Sequence, residues 1–138
     1  MIRLSNKIKL ILIIFSIVFS KSILAQDQIS LLKTEKVKDY LILSTEQFQI
    51  ISPKIEQIKN ILEEDKKIIS DIKKRINSGD EPGFFEKIGV KRGRDGRSGD
   101  IEDLIDEIED NLNDEQKIKF EKIEIPELKS LDKKEIFG

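Results

Sequence analysis

Lys91, Arg92, Arg94 and Arg97 form the one concentrated positive patch of this 138-residue chain, and Gly93, Gly96 and Gly99 lie among them. Such a patch can meet an acidic partner or the acidic stretch that follows it. No aromatic side chain is interleaved with the arginines to stack on unpaired bases, which argues against single-stranded nucleic acid. Other chemistry has less to work with. The chain has no histidine and no cysteine. Ser70 with Lys73, and Ser130 with Lys133, reproduce the Ser-x-x-Lys spacing of some acyl enzymes, but the accompanying motifs are missing. Glu102 and Asp106 are a carboxylate pair on a surface rich in acids, read as a solvated helix face. Soft and borderline metals want thiolate, imidazole or thioether, and the only methionine is Met1. Asn111 to Lys122 lacks the glycine and terminal glutamate of a calcium loop. We therefore expect no enzyme, no cofactor and no metal site.

The element that must organise these residues is the stretch from Leu43 to Asn77. Ser44 is a helix N-cap whose hydroxyl can accept from the Gln47 amide while the Gln47 side chain reaches back, a capping box, and Leu43 with Phe48 can close a hydrophobic staple. Beyond it Phe48, Ile51, Ile55, Ile58, Leu62, Ile69, Ile72 and Ile76 alternate steps of three and four, with Asp65 filling one seam position. The spacing predicts a helix over 45–77, roughly 50 Å long. Its seam residues Ile55, Ile58, Leu62, Ile69 and Ile72 are expected to be core or dimer contacts. Pro53 predicts a kink, or a fresh start capped by Ser52. The helix should end near Asn77, where Gly79 and Pro82 follow.

On either side the pattern is shorter. Thr34 is expected to cap a helix through Leu41, and Phe84, Phe85, Ile88 and Val90 to form an apolar island that can fold over the core as a short helix. The glycines make 89–99 read as a flexible loop. Asp100 is expected to cap a helix carrying Ile101, Leu104, Ile105, Ile108 and Leu112. Asn113 with Gln116 then repeats the capping box, opening a helix with Ile118, Phe120 and Ile123 that stops before Pro126, Ile118 standing in for the staple residue. The tail from Glu127 to Gly138 keeps Leu128, Leu131, Ile136 and Phe137 among charges and is expected to pack as a short amphipathic segment, with a frayed end as the alternative. The fold expected is all-α: a short N-terminal helix, one long amphipathic helix and two or more shorter C-terminal helices.

Residues 1–25 read as a cleaved secretory signal, with Arg3, Lys7 and Lys9 ahead of an apolar run too short to span a bilayer. The remaining 26–138 form one expected domain with 21 basic and 27 acidic residues, a balance against general nucleic-acid binding. Without cysteine, an exported chain of this size must be stabilised by packing or oligomerisation.

Two helix starts, Leu43-Ser44-Thr45-Glu46-Gln47 and Leu112-Asn113-Asp114-Glu115-Gln116, in a small exported helical chain resemble those of the LTxxQ family of Spy/CpxP-type periplasmic proteins. Ser44 and Asn113 stand where that family has threonine, Pro53 interrupts the long helix, and the chain is acidic where a basic concave face is typical. The resemblance implies a helical cradle or hairpin paired as an antiparallel homodimer, periplasmic or secreted, and free of the membrane once the signal is cleaved. It implies an ATP-independent, holdase-type chaperone or envelope-stress protein binding partly unfolded clients. It assigns Leu43, Ser44, Glu46, Gln47, Leu112, Asn113, Glu115 and Gln116 to setting helix starts. A structural or signalling envelope protein with one specific partner is the alternative.

Overall fold

The structure is a computed structural model and describes residues 27–131. The expected signal segment and the tail residues Ile136 and Phe137 lie outside the described residues. Every regular element described is a helix: α1 (Thr34–Leu41), α2 (Thr45–Asn77), α3 (Phe84–Asp110) and α4 (Asp114–Phe120). α2 and α3 form a hairpin, while α1 packs on both α2 and α4. An isolated parallel bridge joins Ser30 to Glu124, with the Leu31 amide donating to the Glu124 carbonyl at 2.9 Å and the Glu124 amide to the Ile29 carbonyl at 2.8 Å.

α2 occupies the span its spacing predicts. It runs through Pro53 without a break. Proline leaves the carbonyl one turn earlier, on Gln49, without its intrahelical donor. Both residues are exposed, so water can take that place. At the far end Gly79 adopts φ 85°, its amide donating to the Ile76 carbonyl and the Asp80 amide to the Arg75 carbonyl, both at 3.0 Å. These two bonds make the Schellman stop that a left-handed glycine permits.

The second half departs from expectation. Residues 89–99 are not a flexible loop: α3 passes through all of them, joining the Phe84 island to the acidic helix as one element of 27 residues. Its N-cap is Gly83, so Asp100 is interior and caps nothing. Three corrections are smaller. Thr34 is the first residue of α1, after Lys33, and its hydroxyl accepts from Lys59 Nζ at 3.2 Å, a tie to α2. Ile118 is 60% exposed and takes no part in a staple, and α4 ends at Phe120, so Ile123 is buried beyond the helix expected to carry it.

One core unites Leu31, Val37, Leu41, Ile51, Ile55, Ile58, Ile101, Ile108, Leu112, Phe120 and Ile123. It lies against the first half of α2 and the second half of α3. Ile55 and Ile58 are thus seam residues buried by their own chain. Farther along the hairpin Ile72 is buried, but Leu62 and Ile69 are only half-buried. Among the described residues no helix is long and apolar enough to cross a membrane.

Candidate functional site

The two capping boxes are built as their residue types require. Ser44 Oγ accepts from the Gln47 amide at 3.1 Å and the Ser44 amide donates to Gln47 Oε1 at 3.0 Å. In the second copy Asn113 Oδ1 accepts from the Gln116 amide at 2.9 Å, and the Asn113 amide donates to Gln116 Oε1 at 3.0 Å. Spacing alone could not show that the two boxes meet. Gln47 Nε2 donates to Gln116 Oε1 at 2.8 Å, and Gln116 Nε2 donates to Gln47 Oε1 at 3.1 Å. Each amide also reaches the backbone just ahead of the other helix: Gln47 to the Asn111 carbonyl at 2.8 Å, Gln116 to the Leu41 carbonyl at 3.1 Å.

The pair has an approximate two-fold relation, each glutamine doing for the other helix start what is done for its own. An amide side chain offers two donors and two acceptor positions, and both glutamines have all of theirs occupied. Nothing remains for a substrate. The joint is structural, with Leu112 buried and Leu43 half-buried behind it and Glu46 and Glu115 exposed in the first turns, where a negative charge suits the helix dipole.

The arginine cluster divides in two. Arg94 and Arg97, three residues apart on α3, turn inward to Asp65 of α2. Arg97 Nε and Nη2 donate to Asp65 Oδ1 at 3.1 and 2.9 Å, and Arg94 Nη1 lies 3.5 Å from Oδ2. Asp65 is only 3% exposed. A carboxylate so far out of water needs ionic partners, and the seam position it fills on α2 was the signal in the sequence that a cationic pair had to come from elsewhere. Gly93 leaves room for the contact, since a Cβ there would stand 3.3 Å from Arg97 Nη1. Arg94 Nε is buried with no hydrogen-bond partner. Lys91 and Arg92 are exposed on the outer side of α3.

Beside this cluster an open groove of about 500 Å³ runs along α2, with Leu62, Ile69 and Leu128 among its apolar walls and Lys66, Lys73 and Arg94 among its cations. Ser70 and Lys73 are both exposed there, and nothing bonds one to the other among the described residues; Lys133 lies outside the described residues. Glu102 and Asp106 are exposed on a second open groove, with Ile101 and Ile105 beside them. Among the described residues no group of three or more potential metal ligands assembles.

At the turn between α2 and α3, Arg75 holds Asp80 through Nε at 2.7 Å and Glu86 through Nη1. These hydrogen bonds raise the Arg75 pKa above its ordinary value and hold both carboxyls below the usual carboxylate range. Lys87 pairs with Glu81 at 3.0 Å. Set beside known proteins, the chain matches no family model, no curated protein and no solved structure.

Proposed function

We propose that the chain is an exported, ATP-independent holdase-type chaperone or envelope-stress protein that binds partly unfolded proteins along its helical hairpin. The observation that carries this reading is the joint between Gln47 and Gln116. The two motif copies that resemble the LTxxQ family are the two halves of one structural device, so their recurrence has a purpose beyond capping two unrelated helices. Further support comes from the distal hairpin, where Leu62, Ile68, Ile69, Ile76, Ile88 and Val90 stay half-buried. Of these, Leu62, Ile69 and Ile76 recur every seven residues and share one stripe of α2, suited to transient apolar contact or to a second copy in an antiparallel pair.

Binding of unfolded chains delays their aggregation by mass action. Purified protein, without nucleotide, is expected to suppress aggregation of a chemically denatured client; inertness at several-fold excess defeats the proposal. The second reading, an envelope protein with one specific partner, is favoured by the charge distribution. Residues 66–97 hold ten Lys/Arg against five Asp/Glu, and residues 98–131 hold four against twelve. Arg94 and Arg97 are spent on Asp65, but the eight remaining cations still outnumber the five acids, and a chain so divided favours a complementary partner over general clients. Crosslinking that recovers one stable partner supports this second reading, and many weakly held proteins support the first.

A further inference from the structure

Phe84 and Phe85 are 69% and 85% exposed at the turn of the hairpin, their rings packed edge to face with centroids 5.6 Å apart. They begin α3 at the end of the hairpin away from the core, and neither is needed to close it. Two adjacent phenylalanines left in water at an apex call for an apolar surface.

The charges around them say which kind. Asp80 and Glu86 share Arg75 and Glu81 pairs with Lys87, so the turn itself sets three carboxylates against two cations, and Lys91 with Arg92 bring the balance of these residues to four cations against three acids. Lys91 and Arg92 follow Phe84 and Phe85 by seven residues, two helical turns, and so lie on the same face about 10 Å behind the rings. Both are exposed and have no ion-pair or hydrogen-bond partner among the described residues. An aromatic apex with cations in excess one headgroup depth behind it matches an anionic lipid surface, where rings enter the boundary of the acyl region and basic side chains remain among the phosphates. A protein partner would need a pocket shaped to a projecting pair of rings, whereas a bilayer yields to it.

We propose that the α2–α3 apex is a membrane-docking tip that inserts Phe84 and Phe85 into anionic lipid and anchors through Lys91 and Arg92. This departs from the expectation of a chain free of the membrane after signal cleavage, and it does not depend on the chaperone reading.

The chain has no tryptophan, so F85W places a single reporter at the tip of the full-length protein. Its emission is expected to move to shorter wavelength with phosphatidylglycerol vesicles and not with phosphatidylcholine vesicles. Adding K91E and R92E should weaken vesicle partitioning by about tenfold or more. I118W, a reporter at an exposed residue of α4, should stay unchanged, which separates tip insertion from anchoring by residues 1–25. No shift of F85W with anionic vesicles, an equal shift of I118W, or indifference to the charge reversals would overturn the proposal. So would a concentration-dependent shift without vesicles, which would assign the tip to a second copy, or a shift seen only with an added acidic protein.

Discussion

Asp65 occupies a seam position of α2 where the spacing calls for an apolar side chain, and it is held there by two arginines from another helix. Removing one member of such a group strands the others. D65A should therefore destabilise by about 3 kcal/mol or more in denaturant unfolding, because Arg94 and Arg97 keep their charges with most of their solvation lost. Replacing all three residues together by leucine should recover most of that loss, since buried ion pairs seldom outperform apolar packing of similar volume. A triple variant as unstable as the single one would mean that the cluster does more than satisfy its own charges. The glutamine joint is also testable at this scale. Q47A and Q116A are each expected to destabilise by about 2 kcal/mol through lost caps and unpaired carbonyls, and the double variant by less than the sum, with a coupling of about 1 kcal/mol. Strict additivity would show that the boxes act independently. Each box was legible in five residues because capping is local chemistry. Their union was not, since it rests on Gln47 and Gln116 being brought together by α1 and α4.

Among the elements, α3 shows where composition misleads. Four glycines at 89, 93, 96 and 99 lower its helix propensity by nearly 1 kcal/mol each relative to alanine, and they made 89–99 look like a loop. The helix persists because only helical spacing carries Arg94 and Arg97 together to Asp65 and Ile101 and Ile108 to the core. Tertiary contacts there outweigh local preference, and a reading of local sequence could not include them. G89A and G96A meet nothing within 4 Å, so each should raise stability by roughly 0.5–1 kcal/mol. G93A, whose methyl approaches the Arg97 guanidinium, should gain less. Thermal melts of the three variants would check the order. By contrast α2 was legible nearly residue by residue, its caps, its stripe and its glycine stop all being written within its own length. The turn beyond it is expected to respond to acid. Asp80 and Glu86 have lowered folded values, so their bonds to Arg75 contribute fully above the ordinary carboxylate range near pH 4 and are lost as pH falls through the lowered values. R75A should consequently be less stable than the parent at pH 7, and the gap should narrow as acid protonates Asp80 and Glu86.

For the whole molecule, the clasp between Ser30 and Glu124 bears on the order in which the fold is made. The α2–α3 hairpin closes across a short turn, whereas the bridge closes a loop of more than ninety residues and must wait until the helices between its ends have docked. Contacts that form last are commonly the first to open under native conditions. The amides of Leu31 and Glu124, although bonded across the clasp, should exchange with solvent through a partial opening that leaves those of Ile55 and Ile58 protected. Equal protection at all four would mean that the chain unfolds only as a unit. If the clasp opens first, the protein samples a state in which the hairpin stays folded while α1 and α4 lose their hold on each other.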